Sequence, residues 1–130
     1  MDESKNEKMT SLAGASSEEI ARAIAEVLDN MKARDIKLLH VSDKTVMTDY
    51  FVICSGTSNT QIRALSGEVE YKLGERGIAP LHIEGYDGGT WIAMDYAHVM
   101  VHIFSREQRE FYKLEKLWGD ACEVPLNFQD

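Results

Sequence analysis

The chain has only two cysteines, Cys54 and Cys122, far apart in sequence. They make neither a CxxC pair nor a zinc-ligand spacing, so neither a disulfide framework nor a thiolate metal site is expected. Two reduced cytosolic thiols remain. No run of 18 or more apolar residues occurs, which argues against a membrane span. Residues 1–17 are polar and charged and lack the apolar core of a secretory signal, so a cytoplasmic location is expected. Positive charge is scarce: 14 Lys and Arg against 22 Asp and Glu leave a formal net charge of −8. Phosphate binding needs a basic surface, so a general nucleic-acid binder is disfavoured. An acidic chain can still dock on a basic protein.

What is present suits one ordinary domain. The 130 residues are 44% apolar, enough for a core and too few for two domains. Residues 1–15 read as a disordered tail without periodicity, residues 16–120 as the domain, and residues 121–130 as a loose C-terminal tail. Ser16 and Glu19 have capping-box spacing, and Ile20, Ile24, Val27, Leu28 and Met31 then form one helical stripe, with Asp35 as its expected end. Residues 37–41 read as a short strand. Residues 50–54 (YFVIC) are a continuous apolar run, as in a strand buried on both faces. A second helix follows from about 59 to 76, with Ile62, Leu65, Val69 and Leu73 inward and Gly77 placed to cap it. Strands are expected at 80–84, 90–95 and 99–104, the last two as an antiparallel hairpin turning at 96–98. A final helix is expected from 106 to 118, with Ser105 and Gln108 at capping-box spacing. This order predicts an α/β domain with a mixed sheet of about five strands and helices packed on it.

Candidate chemistry is sparse. His98 and His102 are four apart but on an expected strand. Their Cα atoms would be roughly 13 Å apart, too far to share an ion bound at about 2 Å from each. His40 and His82 are isolated, and no metal site is expected. The stretch Ser55-Gly56-Thr57-Ser58 joins a strand to a helix. It lacks the Lys and spaced glycines of a P-loop, and capping of the second helix is its plainer reading. A nucleotidyltransferase site needs two carboxylates two apart on a strand. The only acidic pair at that spacing, Glu68 and Glu70, falls on the expected second helix, where a two-residue step is about 200° and the side chains diverge.

Two aromatic positions stand out. On the expected last helix Phe111, Leu114 and Trp118 share one face, while Arg109, Tyr112, Lys113 and Lys116 fall opposite. Tyr112 then points away from the core, as in an interface or in an ordinary solvated face. On the strand, Ile92 and Met94 face the core, while Trp91, Ala93 and Asp95 share the other side. Trp91 either packs beneath a neighbouring element or awaits a partner.

These stretches together resemble the Iojap, or ribosomal silencing factor, family. The matching segments are residues 48–58 (TDYFVICSGTS), Glu84-Gly85, Trp91-Ile92 with Asp95, Val101-His102-Ile103-Phe104, and residues 109–118 (REFYKLEKLW). The resemblance covers about residues 18 to 120. One departure is Tyr96-Ala97-His98, where the family usually has a Gly-Asp turn. The resemblance implies a nucleotidyltransferase-like fold without the catalytic carboxylates, no enzymatic activity and no cofactor. It implies a homodimer in the free state. It further implies binding to the large ribosomal subunit through ribosomal protein L-fourteen, which blocks docking of the small subunit and represses translation. The residues it implies at that contact are Trp91 and Tyr112, with Glu84, Asp95, Arg109, Glu115 and Lys116. Two rival readings stay open: a residual nucleotidyltransferase using residues 55–58, and a binding module for another assembly.

Overall fold

The computed structural model describes residues 11–41, 48–113, 122–126 and 128. Helix α1 (Ser17–Asn30) begins where the capping box predicts. Glu19 N–H donates to Ser16 Oγ at 3.1 Å, and Ser16 N–H donates to Glu19 Oε1 at 2.9 Å. Ile24 and Leu28 of the predicted stripe are fully buried, and Ile20, Val27 and Met31 pack at its margin.

The helix ends at Asn30 and not at Asp35. Lys32 takes a left-handed conformation (φ 66°), Lys32 N–H bonds the Asp29 carbonyl, and Ala33 N–H bonds the Leu28 carbonyl. This is a Schellman closure, a geometry that usually recruits glycine. Strand β1 (Arg34–His40) then starts at once, with a bulge between Arg34 and Lys37 around Asp35 (φ 51°).

Strand β2 (Tyr50–Gly56) is buried from Phe51 onward, as its unbroken apolar run requires. Helix α2 (Asn59–Glu75) buries Ile62, Leu65, Val69 and Leu73 and ends in a second Schellman closure through Gly77 (φ 88°). Strands β3 (His82–Glu84), β4 (Trp91–Asp95) and β5 (Val99–Ser105) follow. The predicted β4–β5 hairpin is present and antiparallel. Ala97 (φ 74°) turns it, with its N–H donating to Asp95 Oδ1 at 2.8 Å.

Helix α3 (Arg106–Tyr112) starts at Ser105, whose Oγ accepts from Gln108 N–H, and closes at a left-handed Lys113. It therefore stops short of the expected residue 118. Leu114 and Trp118, two of its expected apolar-face residues, lie outside the described residues.

With a further strand, β6, at Cys122–Val124, the described residues form a sheet of six strands in the order β3-β4-β5-β2-β1-β6. Among the described strands only β2 and β5 pair in parallel; the other neighbours are antiparallel. The sixth strand, β6 (Cys122–Val124), lies in what reads from sequence as a loose tail. It pairs with β1, and Val124 sits opposite Leu38 beside the core. Three residues are too few to display a period, so only the neighbouring strand reveals them. Within the expected N-terminal tail, Leu12 is buried and its N–H bonds the Arg76 carbonyl at 2.7 Å, and Ala15 packs beside the core.

Helices α1 and α2 cover one face of the sheet, closing the main core over Leu38, Val52, Cys54, Ile92, Met94, Val101 and Ile103. The opposite face carries a smaller cluster of Leu39, Val41, Phe51, Ile53 and Phe104. Trp91 and Met100 sit at its border.

Candidate functional site

Strand register assembles the site. Directly opposed residues share a face of a sheet. Glu84 lies opposite Ala93, and Ala93 opposite His102; His82 lies opposite Asp95, and Asp95 opposite Met100. Trp91, Ala93 and Asp95 alternate onto the same side. Three residues singled out from sequence, Glu84, Trp91 and Asp95, thus meet on the face opposite α1 and α2, at the β3–β4 end.

The aromatic centre is ordered. Trp91 is half-buried, with its ring 4.9 Å from Phe104 at an interplanar angle of 30°. Its indole Nε1–H donates to His102 Nδ1 at 3.1 Å. Because an indole nitrogen only donates, His102 Nδ1 must be the unprotonated acceptor. Burial pushes the His102 pKa down to about 4, so the ring is neutral near physiological pH. Around this centre the rim is polar. Glu84 and His82 are exposed, and Asp95 lies 3.8 Å from the His82 imidazole.

Arg109 departs from its expected place. Helical spacing assigns it to an outward face with Tyr112, yet it is only 8% exposed. Its Nη1 donates to the Asp35 carbonyl at 2.7 Å and to Ser55 Oγ at 3.0 Å. The bulge in β1 brings that carbonyl within reach of α3, and a guanidinium fork suits two oxygen acceptors at once. Tyr112 is the last residue of α3, while Glu115 and Lys116 lie outside the described residues.

The pairing of His102 with Trp91 was not among the expectations from sequence. The signal was available in the hairpin: period-two alternation with a turn at 96–98 puts both side chains on one face.

A groove of about 640 Å³ lies at the carboxyl ends of parallel β2 and β5, lined by Arg34, Ser55, Ser58 and Arg106 among others. Open α/β sheets commonly bind ligands at such ends. Here Ser58 caps α2 by accepting from Gln61 N–H at 3.0 Å, and Ser55 accepts from Arg109. Glu68, the first of the acidic pair at two-residue spacing, lies on α2 beside Lys72. No described strand carries two carboxylates two residues apart. Cys54 is fully buried, and burial pushes its thiol up to about 12, far from a reactive thiolate. His98 is exposed and sits 3.6 Å from Asp49, while His102 lies inside the sheet; no metal-binding cluster occurs among the described residues. No described helix is long and apolar enough to cross a membrane.

Fold and site together define an α/β domain with a six-stranded mixed open sheet, carrying an ordered aromatic centre with an acidic rim on one face. A family model described as "Ribosomal silencing factor during starvation" matches residues 14–130. The ribosomal silencing factor of Bacillus subtilis is 38% identical over 109 residues, covering 84% of this chain and 92% of that one. A crystal structure of a Chromobacterium violaceum protein superposes with a TM-score of 0.78 at 31% identity, covering 88% of this chain and 94% of that one. A mouse protein named for mitochondrial assembly of the large ribosomal subunit is 38% identical over 98 residues, covering 73% of this chain and 43% of that longer one. The chain belongs to the ribosomal silencing factor family.

Proposed function

We propose that this protein binds the large ribosomal subunit through ribosomal protein L-fourteen and thereby blocks docking of the small subunit, repressing translation without catalysis. The observation that carries this reading is the convergence of Trp91, Glu84 and Asp95 on one sheet face. A half-exposed tryptophan rimmed by carboxylates suits a basic protein partner: the aromatic anchors, while the acids speed encounter. The net charge of −8 acts in the same direction. The mouse relative's name, which refers to the large subunit, supports that choice of subunit. Tyr112, Glu115 and Lys116 extend the proposed contact, and Arg109 ties α3 to β1 and β2 through the Asp35 carbonyl and Ser55. The protein acts in the cytoplasm, needs no cofactor, and is a homodimer when free.

The test uses separated ribosomal subunits on a sucrose gradient. Purified protein keeps them apart when added first and acts weakly on preformed ribosomes, where its site is covered. Trp91→Ala weakens large-subunit binding by about 2 kcal/mol, roughly 30-fold. Equal splitting of intact ribosomes would rule out steric exclusion. Unchanged affinity of Trp91→Ala would move the contact away from this face.

A further inference from the structure

We infer that His102 is a positioning residue for partner binding, holding the Trp91 indole in its docking orientation before a partner arrives. This rests on the reading of Trp91 as the anchor.

Among the described residues, Phe104 packs against the Trp91 ring at a 30° tilt, and His102 Nδ1 accepts the indole hydrogen at 3.1 Å. His102 is itself packed into the sheet. It is 8% exposed and lies on β5, between β4 and β2 in the sheet. Phe51 presents an edge-on ring at 5.2 Å, and Phe104 stacks at 6.0 Å and 17°. A fixed acceptor on a central strand thus sets the angle of a half-exposed ring on its neighbour.

Packing alone does not call for histidine here. Phe51, Ile53 and Phe104 surround the position with apolar groups, and a phenyl ring would fill similar space. Burying an imidazole costs desolvation, which is why its basicity is depressed. What histidine adds over phenylalanine is an acceptor nitrogen, and that nitrogen holds the indole. A side chain ordered in advance loses less freedom on binding, an effect of about three- to tenfold in affinity.

The experiment measures the affinity of the full chain for purified large subunits, with the Trp91 indole N–H followed by nitrogen-15 NMR. In wild-type protein the indole proton exchanges slowly with water. His102→Phe keeps a ring and removes the acceptor: fast indole exchange and about fivefold weaker binding are expected. His102→Asn places Oδ1 close to the lost Nδ1: slow exchange and affinity within about twofold of wild type are expected. Trp91→Ala is the reference arm.

If Trp91→Ala weakens binding and His102→Phe does not, the positioning role is wrong while the anchor stands. If Trp91→Ala binds like wild type, the anchor reading falls and takes this inference with it. Should His102→Phe fail to fold, His102→Asn decides. Retained indole protection with retained affinity supports the role, and retained protection with affinity as low as that of Trp91→Ala overturns it.

Discussion

Gly85 closes the turn that aims β4, and replacing it by alanine is a sharp test of the site's geometry. Gly85 has φ +86°, and a Cβ built there would lie 2.0 Å from the Trp91 carbonyl oxygen and 3.2 Å from its carbonyl carbon. Both obstacles are backbone, so no side-chain rotation relieves them. The left-handed conformation alone costs a residue with a Cβ about 1–2 kcal/mol. Opening the β3–β4 end to relieve the contact adds a similar amount, for a total of about 3 kcal/mol. At about 4 °C per kcal/mol for a domain of this size, Tm falls by roughly 12 °C. Gly88 lies three residues on in the same turn, outside the left-handed region, with its nearest neighbour atom 3.9 Å away. Gly88→Ala should therefore stay within about 0.5 kcal/mol of wild type. Thermal melting followed by circular dichroism compares the two. The damage at Gly85 should also reach binding, because Glu84 and Trp91 flank the contact. Equal melting of Gly85→Ala and wild type, or equal losses at Gly85 and Gly88, would refute the close approach of the turn to β4.

Two further outcomes follow from buried polar groups. His102 titrates at about 4 when folded against 6.5 unfolded, so the unfolded chain takes up the proton first. The stability tied to its neutral form is complete above 6.5 and is lost as pH falls towards 4, by about 3 kcal/mol. Urea unfolding of wild type and His102→Asn near pH 7 and near pH 4 isolates this part, and identical acid losses in both proteins would exclude it. Arg109→Ala removes the bonds to Asp35 and Ser55 and should destabilise by about 2–4 kcal/mol. Combined with Ser55→Ala, the losses should be less than additive; full additivity would mean that the two side chains act separately.

Several elements were legible because their signals are local. The Ser16–Glu19 box marks the start of α1, and Gly77 marks the end of α2, where a left-handed residue is needed. The apolar run at β2 and the alternation in β4 and β5 identify strands from side-chain period alone. The end of α1 was not legible, because Lys32 closes it with the geometry Gly77 uses for α2. A lysine carries no sign that it will be left-handed; the pairing of β1 with β2 immediately afterwards is what stabilises it. The strand Cys122–Val124 depends in the same way on β1 lying beside it. Arg109 is the clearest case at the site. Helical spacing puts Arg109 away from Phe111 but cannot say that a bulge at Asp35 presents a carbonyl to it. Sequence by itself determined the α/β class, most elements and the prominence of Trp91, since period and capping act within a few residues. Tertiary structure alone decided that Glu84, Asp95 and Trp91 share one surface, that His102 holds the indole and that Arg109 turns inward, because each depends on strand order and register between distant segments.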